Sequence, residues 1–495
     1  MSLGAPRRAL ASELFEVSFA LFALSSAVPL FVARYVPIQD LPQHAAAVRV
    51  LHDFHTPAFG FERFFELHLG STQYLAVYAL ADLFAYVFDV VVATKLVLAV
   101  AVVALPYSLR ALLAALDRPE SYALLSLPLV YNTQLVLGFL NFMLGVPLMF
   151  WGLALFLRYQ AAPTPRRGIA LGAVALCCFL AHVVPYALLL IGALLLGVGR
   201  SPARAASPFL PSLALGAVWA ALSPSGRALA ALSSSASLFT AHEPFSVRLR
   251  EISFWVNDVL WGNEDERTLA VFIVVLALTF VLGLARRSRP SNLLLRLAAL
   301  VPLCWVAYFV LPASFDFIWP IHARFALLGV LLLIPILPIT PQRVRVALGA
   351  FALAMALFVN VSVARAFAAS EKLEYAGLRA LLQRIPYGSR TAGLVFDAGS
   401  RFVRFSPYLH AVAWVQAERG GAVMFTFADF PASPFRFRES NRPPRVPPRW
   451  EWLPARVDTE RDLGFYDYVL TRSARWPVRG FTLVKSAGSW ALWSR

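Results

Sequence analysis

The chain has 495 residues, 59% of them hydrophobic and 15% charged, with a mean hydropathy of +0.66 and a formal net charge of +16. Average soluble domains carry about 45–50% apolar and about 25% charged residues, so a soluble globular fold and a disordered chain are both excluded and the class is a polytopic membrane protein. Of the 44 basic residues only Lys95, Lys372 and Lys485 are lysines, and the arginines stand in short groups between apolar runs, a pattern that orients helices and is not a nucleic-acid surface.

Taken in chain order, Arg7 and Arg8 precede an apolar run over residues 17–33, read as an uncleaved first span with the arginines held inside. Residues 34–89 form a long first outer loop, and a span follows at 90–113. Further runs near the ~20 apolar residues that a bilayer requires lie at 121–137, 139–157, 208–223, 268–285, 293–312, 323–340 and 344–364. The stretch 168–199 is too long for one span and is split at His182 into two short ones.

Residues 72–88 are apolar enough to span as well, and charge decides against it. Arg110 and Arg118, Arg158 with Arg166 and Arg167, Arg200 with Arg204, Arg286 with Arg287 and Arg289, and Arg343 with Arg345 form five basic connections that should all face the cytoplasm. They do so only if 72–88 is an apolar helix that lies in the outer interface or re-enters from it. About eleven spans result, with the N-terminus inside and the C-terminus outside.

The fold class read from the sequence is therefore an α-helical polytopic membrane domain over 1–364, followed by a small extramembrane α/β domain over 365–495. In that tail, helical patterns at 371–385 and 407–419 alternate with strand-like runs at 391–397, 422–428 and 466–471. Residues 481–494 read as a hairpin turned at Gly488. The stretch 442–449, RPPRVPPR, is a loop, because proline supplies no backbone donor.

On this topology all eight histidines fall on the outer face: 44, 52, 55, 68, 182, 242, 322 and 410. Asp40 carries the sharpest signal, since it follows the first span and lies between Pro37 and Pro42, which restrict the backbone beside it. Two roles are open to it: general base on an acceptor hydroxyl, or N-cap of the helix that starts at Pro42, with Gln43 completing a capping box. His44 lies one helical turn on and can share a site with Asp40. His182 is an ionisable group between two apolar halves, where such groups are costly and often functional. Arg324 opens a span beside His322, where a guanidinium can grip a phosphate. Asp40, His44, His68 and His182 are suitable metal ligands by type, but none shows a recognised ligand spacing, so a divalent metal is not supported. Cys177, Cys178 and Cys304 lie in apolar runs without CxxC spacing, which implies neither disulfides nor zinc.

An inside N-terminus, an aspartate opening a long first outer loop, an apolar juxtamembrane helix, about eleven spans and an outer C-terminal domain together resemble the GT-C superfamily of membrane glycosyltransferases. Asp40 in QDLPQH occupies the place of the first-loop catalytic aspartate, although Gln39 and Leu41 leave no DE or DxD pair. YNTQLVLGFLNFMLGVPL at 131–148 looks like the short second outer loop, with Asn132 or Asn141 where a second acidic residue is common. The ending DYVLTRS…FTLVKSAGSWALWSR is similar to that of bacterial membrane proteins with this layout.

The resemblance implies an inverting enzyme of the bacterial inner membrane that takes a sugar from a polyprenyl-phosphate donor and places it on an outer-face glycan, lipid or protein acceptor. Asp40 would be the base. His44, Asn141, His182, His322 and Arg324 would bind substrate, Arg324 with His322 stabilising the leaving phosphate, and the 72–88 helix would flank the lipid's groove. A lipid-linked donor also accounts for the lack of a Gly-rich nucleotide-binding turn. A transporter or lipid flippase is the main rival, and a non-catalytic assembly protein using the arginine-rich tail is a third reading. High arginine over lysine and abundant alanine point to a GC-rich bacterial genome.

Overall fold

The computed structural model describes residues 4–223, 226–227, 241–284, 291–314, 318–447, 450–474 and 477–495. The arginine group at 286–289 and Asp316 lie outside them. Among the described residues, seven helices are long and apolar enough to cross a membrane: Glu13–Leu30 as the end of helix α1 (Gly4–Ser25) and the turn after it, then Val90–Ala115, Leu140–Ala161, Pro202–Leu222, Glu264–Gly283, Asn292–Val310 and Gln342–Leu373. The chain is thus a polytopic helical protein with a small C-terminal sheet.

The remaining helices are numbered in chain order. The first loop holds α2 (Leu41–His52) and α3 (Leu75–Ala85). Eleven residues rise only about 16 Å in an α-helix, so α3 is too short to cross, in line with the interfacial reading of 72–88. The bundle then runs through α4 (Val90–Ala115), α5 (Leu140–Ala161), α6 (Pro165–Ala181) and α7 (Val183–Leu196). His182 sits between α6 and α7 in extended conformation, and its Nδ1 accepts from Val184 N at 3.1 Å. The expected split at His182 is therefore real: the chain reverses there, with α6 and α7 both packed on α5.

One expected span takes another form. Residues 121–137 are not a single α-helix but a buried 3-10 segment, Glu120–Leu129, followed by a single turn, Thr133–Val136. Pro128 contributes to this, although α4 and α5 carry Pro106 and Pro147 without breaking. Proline has no N–H, and its ring would strike the carbonyl four residues back in an α-helix. Asn132 then starts the next turn by accepting from Leu135 N at 3.1 Å.

The loop that follows presses against the first outer loop. Gln39 N donates to Val136 O at 2.9 Å and Asp40 N to Leu137 O at 3.2 Å. Gly138 has φ +86°, and a Cβ there would lie 2.7 Å from Asp40 N and 2.8 Å from Asp40 Cβ. Glycine is required twice at this position, by conformation and by contact.

In the tail, α12 (Gln342–Leu373), numbered after α8 (Pro202–Leu222), α9 (Glu264–Leu284), α10 (Asn292–Val310) and α11 (Ala323–Ile336), runs unbroken past the expected boundary at residue 365. Beyond it come a turn at Leu378–Leu382 and α13 (Ala413–Arg419). The sheet has the order β3-β2-β5-β7-β6, from β2 (Arg390–Val395), β3 (Ala422–Val423), β5 (Tyr468–Arg472), β6 (Thr482–Ala487) and β7 (Trp490–Ser494). The first three pair in parallel, and β6 with β7 forms the hairpin expected around Gly488. The run at 422–428 gives only two paired residues, because the chain leaves the sheet to cover α2.

First loop and tail share one core. Strand β1 (Phe65–Leu67) pairs antiparallel with β4 (Phe435–Phe437), helix α2 packs on α13, and Trp414 is fully buried beside Tyr35, with ring centres 5.0 Å apart. Arg34 bridges to Glu418 at 2.9 Å, and Tyr35 N donates to Glu371 on α12 at 2.7 Å.

Gly138→Ala should cost about 1–3 kcal/mol from the left-handed backbone alone, with the clash on Asp40 added. A lowered melting temperature of the detergent-solubilised protein is the expected outcome. Melting equal to wild type would mean that the 136–138 loop does not clamp Asp40.

Candidate active site

Asp40 stands at the N-cap position of α2, yet its carboxylate makes no capping hydrogen bond. The capping-box expectation therefore fails. Gln43 is committed elsewhere: its amide donates to Phe425 O and its Oε1 accepts from Phe427 N, both in the tail. The Asp40 carboxylate turns instead to the tail, where His410 Nδ1 lies 2.9 Å from Oδ1. The two atoms are sealed from solvent and meet as a close ion pair without hydrogen-bond alignment. Glu451 stands on the other side of the ring, 3.9 Å from Nε2.

Burial by itself pushes the His410 imidazolium down, but the Asp40 carboxylate, aided by Glu451, outweighs it and leaves the ring above the ordinary histidine value. Burial raises Glu451, and the charges of Asp40 and Asp429 add to that while His410 opposes it. His44 behaves in the opposite way. Its burial dominates the pull of Asp40 and brings it down to about 4, so it is a neutral ring at pH 7. Tyr78 on α3 lies 3.2 Å from His44 Nδ1, and Phe427 of the tail closes over the ring at 5.1 Å.

A second group of side chains adjoins this pair. The Arg324 guanidinium rests on the Phe139 ring at 4.7 Å, donates to Pro320 O, and lies within the fields of Asp40 and Tyr74. Its Nε is buried without a partner. Tyr74 stacks on His182, with ring centres 5.2 Å apart, and His182 in turn lies within the field of Arg324. Asn141 is one turn ahead of Gly145, where a Cβ would touch that of His182 at 3.3 Å, and its Oδ1 is buried and unpartnered.

Of the residues singled out by sequence, Asp40, His44, His182, Asn141 and Arg324 thus gather at one end of the bundle. His322 does not join them. Although two residues from Arg324, it points toward Glu243, with Nε2 3.5 Å from the carboxylate, and packs between Trp255 and Tyr308. Three histidines of the first loop pair within it: His52 with Asp82 at 2.7 Å, His55 with Glu62, and His68 with Glu66 at 3.5 Å. Asn132 is spent on its own turn. Sequence reasoning missed His410, Glu451 and Tyr74. His410 is the lone histidine of the tail, and that was its only signal.

Among the described residues no three His, Cys, Asp or Glu side chains are grouped to hold a metal ion. What the site offers is a carboxylate held by an imidazole, next to a guanidinium with an open nitrogen. Such a set can take a proton from a hydroxyl and neutralise an anion. No protein-family profile matches the chain, and no curated protein sequence matches it either.

His410 gives a pH signature with a definite sign. Its value is raised in the folded protein, so the pair's stabilisation is complete below the ordinary value of 6.5 and is lost as pH rises through the raised value. Wild type should exceed His410→Gln by about 1–3 kcal/mol at pH 5.5, the cost of leaving a buried polar atom without its partner, and the gap should shrink at alkaline pH. A gap that stays constant in thermal melts at both pH values would contradict the ion pair.

Proposed function

We propose that the chain is an inverting membrane glycosyltransferase of the GT-C kind, which moves a sugar from a polyprenyl-phosphate donor to an acceptor hydroxyl on the outer face of the bacterial inner membrane. The observation that carries this reading is the Asp40 carboxylate, free of helix capping, held by His410 and facing the field of Arg324 at one end of a membrane bundle. In the proposed reaction Asp40 accepts the proton of the acceptor hydroxyl. The acceptor oxygen bonds to the anomeric carbon as the bond from that carbon to the donor's phosphate oxygen breaks, with inversion, and Arg324 takes up the developing phosphate charge. His410 fixes the direction of the carboxylate. Tyr74 and His182 form a flat wall against which a sugar ring can lie.

Chain crossings support the finer topology. Lys95 near the start of α4 donates to Ala33 O beyond α1, while Arg110 near its end meets Glu16 and Glu120, so α1 and α4 run antiparallel. Cys178 at the end of α6 reaches Gly145 at the start of α5, and the Phe156 ring near the end of α5 would meet a Cβ at Gly197 after α7. Gly283 at the end of α9 abuts Pro338, and Tyr122 bonds Pro338 O at 2.8 Å. With the 3-10 segment 120–129 and the shorter helices counted as crossings, these contacts favour eleven passes that alternate between two ends. Arg118, Arg158, Arg167, Arg200, Arg204, Arg343 and Arg345 fall at the end opposite the tail, which favours a cytoplasmic face there and a tail outside.

Asp40→Asn preserves size and removes only the base. Transfer should fall by about 10²–10⁴, the usual worth of general-base catalysis, when membranes holding matched protein are given polyprenyl-phosphate sugars and surface-glycan extracts as acceptors. Equal transfer by mutant and wild type would refute the assignment. In intact spheroplasts, external protease should cut the tail beyond residue 374 and spare tags at Arg166 and Arg200. The reverse pattern would overturn the topology.

A further inference from the structure

A second charged cluster lies in the loop before α9, apart from the Asp40 pair. Arg248 is 1% exposed, on a helical turn at Phe245–Arg250. Its Nη1 donates to Tyr308 O at 2.7 Å, and the Tyr308 hydroxyl returns a bond to Arg248 O at 2.7 Å, so the guanidinium plane is locked from one side. The opposite edge is free: Nε and Nη2 are both buried and hold no hydrogen bond. These two nitrogens form one fork of the guanidinium, the edge that meets two oxygens of a carboxylate or phosphate at once.

The surroundings of this fork also lack partners. His322, with a fully buried side chain, has no hydrogen bond at either ring nitrogen. Glu243 is the carboxylate within 4 Å of them, with Oε2 4.0 Å from Arg248 Nε and 3.5 Å from His322 Nε2. Both separations are too long for hydrogen bonds, and that oxygen is itself unpartnered. Arg324 adds a further positive field at His322. Leaving a guanidinium edge buried and unfilled costs several kcal/mol unless an anion satisfies it. Glu251 adds a second negative field, but its carboxylate is taken by Trp255 Nε1 at 3.2 Å, so the Arg248 fork and the His322 nitrogens remain without hydrogen bonds.

We propose that the Nε/Nη2 edge of Arg248, with His322 beside it, binds a phosphate oxyanion, and that Glu243 holds the edge loosely when no ligand is present. The phosphate can come from a lipid carrier or from solution. Phosphate suits the site better than a carboxylate, because its extra oxygens can take the His322 nitrogen as well as the fork. This site is separate from the phosphate position at Arg324 in the transferase reading, and binding at Arg248 does not pass through Asp40 and is measured without turnover.

The test is calorimetric titration of the purified full chain in detergent, with inorganic phosphate and farnesyl phosphate as probes. Wild type should bind at least one of them saturably. Arg248→Lys keeps the charge and loses the fork, so binding should weaken by roughly tenfold or more. Glu243→Gln removes the internal competitor, so binding should tighten several-fold. A purely structural Glu243–Arg248 pair makes the opposite forecast, a lower melting temperature for Glu243→Gln with phosphate binding unchanged, and that result would overturn the proposal. So would the absence of binding by either probe. Tighter binding of farnesyl phosphate assigns the lipid source, and equal or weaker binding assigns the free ion. Asp40→Asn should bind both probes as wild type does. If it also retains transfer, the transferase reading fails while the phosphate site stands.

Discussion

The architecture of the outer end depends on one electrostatic constraint, that a carboxylate removed from water must meet a positive partner. Asp40 follows the first span, and its backbone is clamped by Gly138 and by the carbonyls of residues 136 and 137. Its side chain is thereby fixed half-buried, with Oδ1 sealed from solvent. Helix α2 does not satisfy it, although Asp40 stands at the capping position. His410 does, and this ties the tail to the first loop.

The rest of the interface follows the same direction. Gln43, one residue before His44, bonds the tail backbone on both sides of Thr426, and Arg49 bonds Ala417 O at 2.8 Å one turn before the end of α2. Packing of α2 on α13 and of β1 on β4 surrounds the polar pair with apolar contact. Glu374, just past α12, accepts from Ser400 at 2.6 Å and from Arg401 N at 2.8 Å, and Trp490 donates to its carbonyl at 2.7 Å. A membrane helix thus ends inside the sheet's own network, and the tail is held at both its beginning and its middle. Functional groups contributed by the two parts are positioned by a shared core.

Much of this was legible in the sequence, and the misses have physical reasons. Hydropathy and charge located the long helices, the short α3, and the reversal at His182, because bilayer thickness and the cost of an ionisable group act locally. Alternation and Gly488 gave the closing hairpin for the same reason. Residues 121–137 misled, since an apolar 3-10 segment and an apolar α-helix share composition, and Pro128 was the only local sign of the difference. Asp40 was visible through its flanking prolines, but capping box and catalytic base read identically in one dimension. His410 was not visible as its partner, because nothing near it in the chain records a contact made so far away. His322 was grouped with Arg324 by adjacency, whereas helix geometry turns the two side chains apart, one to Glu243 and the other to Phe139.

The account stands or falls on whether Asp40 and His410 act as a pair. A double-mutant cycle with Asp40→Asn, His410→Gln and the double variant, read as unfolding free energy of the detergent-solubilised chain at pH 6, measures that pairing directly. The predicted result is a coupling of about 0.5–3 kcal/mol, the range for residues in direct contact. Additive effects of the two substitutions would show that the carboxylate and the imidazole are independent, and would contradict the site described.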